Sequence, residues 1–196
     1  SYAFVKVYLA AVTLGQTAVI LPVQLPAEAI GGCCLKYGLS RLVYDPSLEE
    51  KLAVAKKIAP QTALYDVNAV SGKPLPAANV PGEAPCVMMF TGGTTGKSKG
   101  ALLSNAAVMQ GTVNGCYGLR EVFGQRYILS LPLSHVFGLI RNLMTSLYTG
   151  SNMTICRNNK DLFRDIAMFR PTVLVTVPAL AEMALTLSKK LGRNML

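Results

Sequence analysis

One segment of the sequence combines residue types that can bind phosphate groups. Residues 90–100 read F-T-G-G-T-T-G-K-S-K-G and follow the apolar run C-V-M-M. Glycines let the backbone turn tightly and approach a ligand, and successive N–H groups in such a loop can converge on an anion. Threonine hydroxyls add hydrogen-bond donors and lysines add positive charge. The segment therefore predicts a phosphate-binding loop between two strands.

A P-loop NTPase is one alternative for such a loop. Its pattern G-x-x-x-x-G-K-[ST] requires glycine at position 91, where the sequence has Thr91. The residues after Gly100 also have a strand pattern, whereas a Walker loop leads into a helix. Both observations argue against this alternative.

The loop resembles the signature of the adenylate-forming superfamily, which includes acyl-CoA synthetases, luciferases and the adenylation domains of peptide synthetases. That signature reads [YF]-[ST]-[SGT]-G-[ST]-T-G-x-P-K-G, followed by an apolar pair and Ser/Thr-His. The sequence departs from it at Ser98, where proline is usual, and at Asn105, where histidine is common. Asparagine is a good helix cap, so we expect Asn105 to begin the next helix.

A second motif, L-P-L-S-H-V-F-G at 131–138, resembles the next motif of the same superfamily and contains His135. Taken alone, one histidine among apolar residues is usually a packed core residue. The resemblance instead implies that His135 lies by the acyl pocket and helps to place the carboxylate, without acting as a general base. The segment R-P-T-V-L-V-T-V-P at 170–178 resembles long-chain fatty-acyl-CoA synthetases. The resemblance thus covers nearly the whole chain.

The resemblance implies an ATP-dependent acyl-CoA synthetase. In that reaction a carboxylate attacks the α-phosphate of ATP, pyrophosphate leaves, and the thiol of CoA then attacks the acyl-adenylate. ATP, Mg²⁺ and CoA are the implied substrates or cofactors, and one loop threonine is implied to touch the Mg²⁺ shell. The implied phosphate-binding residues are Thr91, Gly92, Gly93, Thr94, Thr95, Gly96, Lys99 and Gly100. Lys97 occupies a variable position and is expected to be solvated.

Two other functions stay open. The acid can be aryl, short-chain or an amino acid, with CoA or a carrier protein as the acceptor, or the chain can be a non-catalytic nucleotide-binding module. The superfamily's Y-G-x-T-E and T-G-D motifs do not occur in the sequence, and neither does its C-terminal lid domain. We therefore expect a fragment of the N-terminal catalytic domain that is inactive when isolated.

The elements around these motifs alternate between strand and helix patterns. Such alternation predicts an α/β fold of layered βα subdomains with mainly parallel sheets, part of the large N-terminal domain of an acyl-CoA synthetase. We place the first subdomain at 1–120, with the phosphate loop at 91–100, and the start of the second at 121–196. Predicted strands are 17–21, 41–44, 62–66, 86–91, 101–103, 127–131, 153–155 and 173–177. Predicted helices are 5–12, 26–37, 47–58, 105–116, 136–147, 162–169 and 178–191.

Composition limits the other functions. The chain is 51% hydrophobic and 15% charged, enough to bury a core, and its net charge of +9 favours anionic partners such as nucleotides. There is no Trp and no interleaving of basic and aromatic residues, which argues against nucleic-acid binding. One His and no C-x-x-C pair predict no metal site.

The cysteines and apolar segments bear on location and assembly. Five cysteines without a disulfide pattern predict a reducing, cytoplasmic location. The apolar stretch 7–23 is interrupted by polar residues and proline, so no membrane span is expected. Apolar surface left exposed on a fragment predicts a homodimer or aggregation of the isolated chain.

Overall fold

The computed structural model describes residues 1–69, 73, 75–91, 99–116, 123–158 and 160–191. Its contacts divide the chain into two compact units, Ser1–Ala107 and Val108–Leu196. The domain boundary predicted between residues 120 and 121 falls in the stretch 117–122, outside the described residues, and stays a prediction.

The first unit alternates helices and strands over its described length. These elements are α1 (Tyr2–Thr13), β1 (Ala18–Val19), α2 (Ala27–Lys36), β2 (Arg41–Tyr44), α3 (Glu49–Ile58), β3 (Ala63–Asp66), β4 (Pro85–Thr91) and β5 (Lys99–Ser104). Helix α4 (Asn105–Asn114) begins at the end of this unit. Strand β4 lies between β1, which is parallel to it, and β5, which is antiparallel. Strands β2 and β3 form a separate parallel pair.

The start of α3 follows from its sequence. A 3₁₀ turn, Pro46–Leu48, precedes the helix, and the carboxylate of Asp45 accepts a hydrogen bond from the backbone N–H of Ser47 at 3.1 Å. The hydroxyl of Ser47 donates to the same carboxylate, and these bonds hold the pKa of Asp45 below its ordinary value. Asp45 therefore caps the 3₁₀ turn that leads into α3.

The core of the first unit lies where α2 packs against α3. Buried side chains from these helices and the turn after α3 form it: Ile30, Cys34, Leu52, Ala55 and Ala59. A Cβ on Gly31 would lie 2.8 Å from the Cβ of Ile58 and 2.9 Å from the carbonyl oxygen of Ala55. Glycine at position 31 therefore lets the two helices approach closely.

Adjacent glycines in α2 are expected to respond oppositely to the same substitution. Gly31→Ala adds a methyl group that pushes α2 away from the Ile58 side chain and the Ala55 carbonyl of α3. It should destabilise the fold by about 2 kcal/mol. Gly32 has open space around its Cβ position, so Gly32→Ala should stabilise the helix by up to about 1 kcal/mol. Thermal unfolding of both variants checks the pair. Equal shifts would show that close packing at Gly31 is not what determines the effect.

The second unit contains a parallel sheet with β6 in the centre. Its described elements are β6 (Arg126–Leu129), a π-helix (Phe137–Met144), α5 (Thr145–Tyr148), β7 (Asn152–Ile155), α6 (Leu162–Phe169), β8 (Val173–Leu174) and α7 (Pro178–Leu191). The sheet order is β7-β6-β8, and both pairs are parallel. Successive residues Tyr127, Ile128 and Leu129 are all buried, as expected for a central strand covered on both faces.

The predicted architecture is confirmed, with local differences. The sheets are mainly parallel, with β4–β5 as the antiparallel pair among the described strands. The helix predicted over 136–147 is a π-helix continued by α5, and the strands predicted at 17–21 and 173–177 pair over only two residues each. No helix in the described ranges is both long and apolar enough to cross a membrane.

A buried tyrosine in β6 should become more stable without its hydroxyl. Tyr127 is fully buried, and its hydroxyl has no hydrogen-bond partner among the described residues. Because an unpaired buried polar group is unfavourable, Tyr127→Phe should stabilise the fold by about 1 kcal/mol, measured by thermal unfolding. Tyr148→Phe is the control, since Tyr148 is largely exposed and should change stability by less than about 0.5 kcal/mol. A lower midpoint for Tyr127→Phe would indicate a bridging water.

Candidate functional site

The predicted phosphate loop connects two strands that pair up to its ends. Strand β5 runs antiparallel to β4, with Phe90 opposite Gly100 and Thr91 opposite Lys99. The hydroxyl of Thr91 donates to the carbonyl oxygen of Lys99 at 3.4 Å. Thr91 and Lys99, which flank residues 92–98 in the sequence, are therefore neighbours on the paired strands. Because a strand follows the loop, the structure agrees with the strand–loop–strand prediction and not with a Walker loop.

The residues at the two ends of the loop have the chemical groups expected for binding an anion. Thr91 and Lys99 are both exposed and lie side by side on the paired strands, which places a hydroxyl and an ammonium group at one end of the hairpin. The remaining candidate ligands lie outside the described residues: Gly92, Gly93, Thr94, Thr95 and Gly96. Phosphate binding by these residues stays a prediction.

Gly100 has a packing role in the hairpin. A Cβ at this position would lie 3.0 Å from the Sδ of Met88 and 3.2 Å from the hydroxyl oxygen of Tyr37. The ring of Tyr37 also meets Phe90 edge to face, with centroids 6.0 Å apart. Glycine at the end of the signature therefore lets an aromatic side chain from outside the hairpin approach its backbone. The sequence gives no sign of this contact, because Tyr37 is far from the loop along the chain.

The other end of the hairpin is tied to the segment that leads into β4. The hydroxyl of Ser104 accepts the N–H of Ala107 at 3.2 Å and thus caps α4. The side-chain amide of Asn105 instead donates to the carbonyls of Pro81 and Ala84, each at 3.3 Å. The helix begins at Asn105 as predicted, but the side chain that caps it is Ser104 and not Asn105. Ser104 occupies the cap position one residue earlier, which leaves the Asn105 amide to hold residues 81–84.

His135 lies in the second unit, in the turn that follows β6. Its backbone N–H donates to the carbonyl of Pro132 at 3.1 Å, and its own carbonyl accepts the N–H of Leu139 at 2.9 Å. The side chain is exposed, so His135 is not a packed core residue. The turn leaves the carboxyl end of a central parallel strand, where ligands of α/β proteins usually bind. The geometry is therefore suitable for a ligand-contacting residue.

The glycine of the second motif is required by the backbone around it. A Cβ on Gly138 would overlap the carbonyl oxygen of Pro132 and lie 3.2 Å from that of Leu131. The first turn of the π-helix therefore packs directly on the preceding turn. At the same edge of the sheet, the hydroxyl of Ser130 donates to the carbonyl of Val175 at 3.5 Å. Two segments that resemble the superfamily thus meet beside the end of β6.

The cysteines have structural surroundings. Cys34 and Cys86 are buried, and burial raises the pKa of both thiols, which makes them poor nucleophiles at neutral pH. Burial, with Cys86 nearby, raises the pKa of Tyr8 to about 12. The described part of the chain contains no group of three or more His, Cys, Asp or Glu that could hold a metal ion.

The first unit also contains a cleft that the sequence did not predict. Its volume is about 1020 Å³, and most of its lining comes from α1, β1, β2 and the segments that follow α1, β1 and α2. Tyr37 and Met88, which approach Gly100, also line it. Most of the lining lies within residues 3–52, but the cleft depends on how these elements pack together, which no local pattern indicates.

Comparisons with known proteins agree with these features. The profile of the AMP-binding enzyme family matches residues 1–194. The chain is 32% identical over 159 residues to long-chain-fatty-acid–CoA ligase 1 of Schizosaccharomyces pombe, covering 74% of this chain and 23% of the ligase. It is 38% identical over 104 residues to the indoleacetate–CoA ligase of Aromatoleum aromaticum, covering 52% of this chain and 20% of that protein. The chain thus spans less than a quarter of either relative.

A solved structure shows the same fold. O-succinylbenzoate coenzyme A synthetase (MenE) of Bacillus subtilis, in complex with AMP, superposes with a TM-score of 0.79 at 23% identity, covering 97% of this chain and 49% of the synthetase. The fold of the chain is thus that of adenylate-forming N-terminal domains. With a family match over nearly its whole length, the chain belongs to the AMP-binding enzyme family.

Proposed function

We propose that this chain is part of an ATP-dependent acid–CoA ligase that activates a fatty acid as an acyl-adenylate and transfers the acyl group to CoA. The observation that supports it best is the hairpin that places Thr91 and Lys99 at the two ends of the glycine- and threonine-rich loop. Because the chain spans less than a quarter of its matched ligases, the activity is proposed for the full-length protein that contains it.

The hairpin's role is to bind the triphosphate. The Lys99 ammonium and Thr91 hydroxyl are suited to bind the β- and γ-phosphates together with the loop backbone. A threonine of the loop would contact the coordination shell of a phosphate-bound Mg²⁺, which would supply positive charge against the triphosphate. The substrate carboxylate then attacks the α-phosphorus, the bond to pyrophosphate breaks, and the protein contributes mainly position and charge.

For His135 we propose a contact with the substrate carboxylate. The residue is exposed at the carboxyl end of β6, and its backbone is fixed by two hydrogen bonds. An imidazole N–H there can donate to a carboxylate oxygen and orient it for attack. Proton abstraction is not required, because the nucleophile is already ionised at neutral pH.

A long-chain fatty acid is the preferred substrate. The S. pombe relative whose match covers 74% of this chain is a long-chain-fatty-acid–CoA ligase, and residues 170–178 resemble a segment of long-chain fatty-acyl-CoA synthetases. An aromatic acid is the alternative substrate, because the similar proteins also include an indoleacetate–CoA ligase and an O-succinylbenzoate synthetase. A non-catalytic nucleotide-binding module is a further alternative.

Acid-dependent exchange between ATP and pyrophosphate tests these proposals. The full-length protein is assayed with fatty acids of increasing chain length, with indoleacetate and O-succinylbenzoate, and without acid. Exchange that peaks with a long-chain acid supports the fatty-acid ligase, and exchange only with an aromatic acid supports the alternative substrate. If the protein binds ATP but shows no exchange with any of these acids, the ligase proposal fails and the non-catalytic nucleotide-binding module remains.

We also propose a cytoplasmic location, small-molecule partners rather than nucleic acid, and a homodimer for the isolated chain. The open cleft of about 1020 Å³ and the exposed apolar side chains around it, such as Tyr2 and Val23, support self-association. Light scattering of the isolated chain over a range of concentrations tests the last point. A monodisperse monomer at high concentration would contradict it.

A further inference from the structure

Strands β4 and β5 form a hairpin around the loop, which we call the phosphate hairpin. Tyr37 contacts both strands of this hairpin next to the loop. Its ring meets Phe90 with centroids 6.0 Å apart and planes at 61°, and its hydroxyl oxygen lies 3.2 Å from the Cβ position of Gly100. Phe90 and Gly100 are cross-strand partners, and the next pair is Thr91 with Lys99. The tyrosine therefore lies one residue pair away from the two described groups that are suited to bind phosphate.

The backbone holds Tyr37 in a fixed position. Tyr37 is the C-cap residue directly after α2, and Gly38 follows with φ of +60°, which favours glycine. The N–H of Gly38 donates to the carbonyl of Leu35 at 3.3 Å, and the N–H of Leu39 donates to that of Cys34 at 2.9 Å. These two bonds form a Schellman motif, which ends the helix in one defined geometry.

Helix α2 is itself anchored in the core of the first unit. Gly31 lets it approach α3 closely, and Leu39 packs against the same buried cluster. The ammonium of Lys36 lies 5.1 Å from the ring centroid of Tyr37, which adds a contact to the aromatic face. The ring is thus attached to a helix that packs in the buried cluster of the unit, so a displacement of the hairpin end would disturb the ring contact.

We propose that Tyr37 is a positioning residue for the phosphate hairpin, whose ring keeps the Phe90–Gly100 pair, and therefore Thr91 and Lys99, in the geometry that binds ATP. The nucleotide part of this inference depends on the proposed function. The proposed positioning depends on the aromatic ring of Tyr37, because its hydroxyl makes no hydrogen bond to a described residue.

Enzyme kinetics test the effect on the nucleotide. In the full-length protein, Tyr37→Ala is expected to raise the KM for ATP in pyrophosphate exchange about tenfold while kcat stays within about twofold. Tyr37→Phe, which keeps the ring, should restore the KM, and Tyr37→Leu serves if the alanine variant does not fold. Tyr65→Ala is the matched control, because Tyr65 is an exposed tyrosine of the same unit. A KM that is unchanged in Tyr37→Ala, or equally raised in Tyr37→Phe, would overturn the proposal.

Proteolysis tests the packing without any activity. Trypsin cleavage after Lys99 requires the end of β5 to leave the sheet, so Tyr37→Ala should accelerate it about tenfold and Tyr65→Ala should not. Mass spectrometry of the first fragments locates the cut. If the wild type shows no exchange, the proposed function fails, while faster cleavage in Tyr37→Ala still supports the positioning role. Cleavage at the wild-type rate in both Tyr37→Ala and Tyr37→Leu overturns the role, whatever the exchange assay shows.

Discussion

Replacing Lys99 with alanine is expected to reduce acid-dependent ATP–pyrophosphate exchange about 100- to 1,000-fold in the full-length protein. The loss follows from the role proposed for the ammonium group, which neutralises charge on the triphosphate as pyrophosphate leaves. The backbone should be little affected, because Lys99 is exposed and its hydrogen bond with Thr91 uses the lysine's carbonyl. Exchange at saturating ATP and acid, together with the thermal midpoint, measures the two effects separately.

Two further variants test whether the effect depends on the position of the positive charge at Lys99. Lys57→Ala removes the same charge from the exposed side of α3 and should leave exchange within about twofold. Lys99→Arg keeps the positive charge and should recover part of the activity, because guanidinium also binds phosphate. If Lys99→Ala and Lys57→Ala lower exchange equally, net charge rather than a phosphate contact is responsible, and the assignment of Lys99 fails.

The alternation of elements could be predicted because it depends on local patterns. Helix α6 and strand β2 have the predicted bounds, since apolar periodicity and turn residues mark both ends. The hairpin could also be predicted, because two β-rich runs flank a glycine-rich loop. In this case the loop chemistry and the strand pattern after Gly100 gave consistent evidence, and β5 begins at Lys99.

Other features depend on information that a local pattern lacks. For Phe137–Met144 the apolar spacing predicted a helix but not its type, because an α-helix is the default and π-helices are rare. Ser104 and Asn105 are both favourable helix caps by type, so only the structure shows which of them binds the free N–H. The strands at 17–21 and 173–177 are short because pairing depends on partners far along the chain.

The contacts that hold the site in place were the least predictable. Tyr37 reaches Phe90 across 53 positions of sequence, and neither residue has a pattern that indicates the other. Gly138 is similar: it stands at the end of the motif at 131–138, but the reason for a glycine there is a backbone contact with Pro132 that only the folded turn creates. Sequence reasoning thus identified the groups that meet a ligand more readily than the groups that position them.

Gly138→Ala is expected to destabilise the second unit by about 3 kcal/mol and to lower its thermal midpoint by about 10 °C. A Cβ at this position would overlap the carbonyl oxygen of Pro132, would lie 2.9 Å from its carbonyl carbon, and could not be relieved by a side-chain rotation. Either the π-helix or the turn must move. Since His135 lies in that turn and its N–H donates to the same Pro132 carbonyl, the histidine would move as well.

The effect on the KM for the acid distinguishes Gly138 from a residue whose substitution affects stability alone. Below the unfolding transition, Gly138→Ala should still raise the KM for the acid, because a displaced His135 no longer orients the carboxylate, while the KM for ATP changes less. Ser134→Ala is the control in the same turn, since the Ser134 side chain has no hydrogen bond to described residues, and it should change stability by less than about 0.5 kcal/mol. A Gly138→Ala protein with an unchanged midpoint would show that the turn relaxes freely, and His135 would then not be held by the packing described for it.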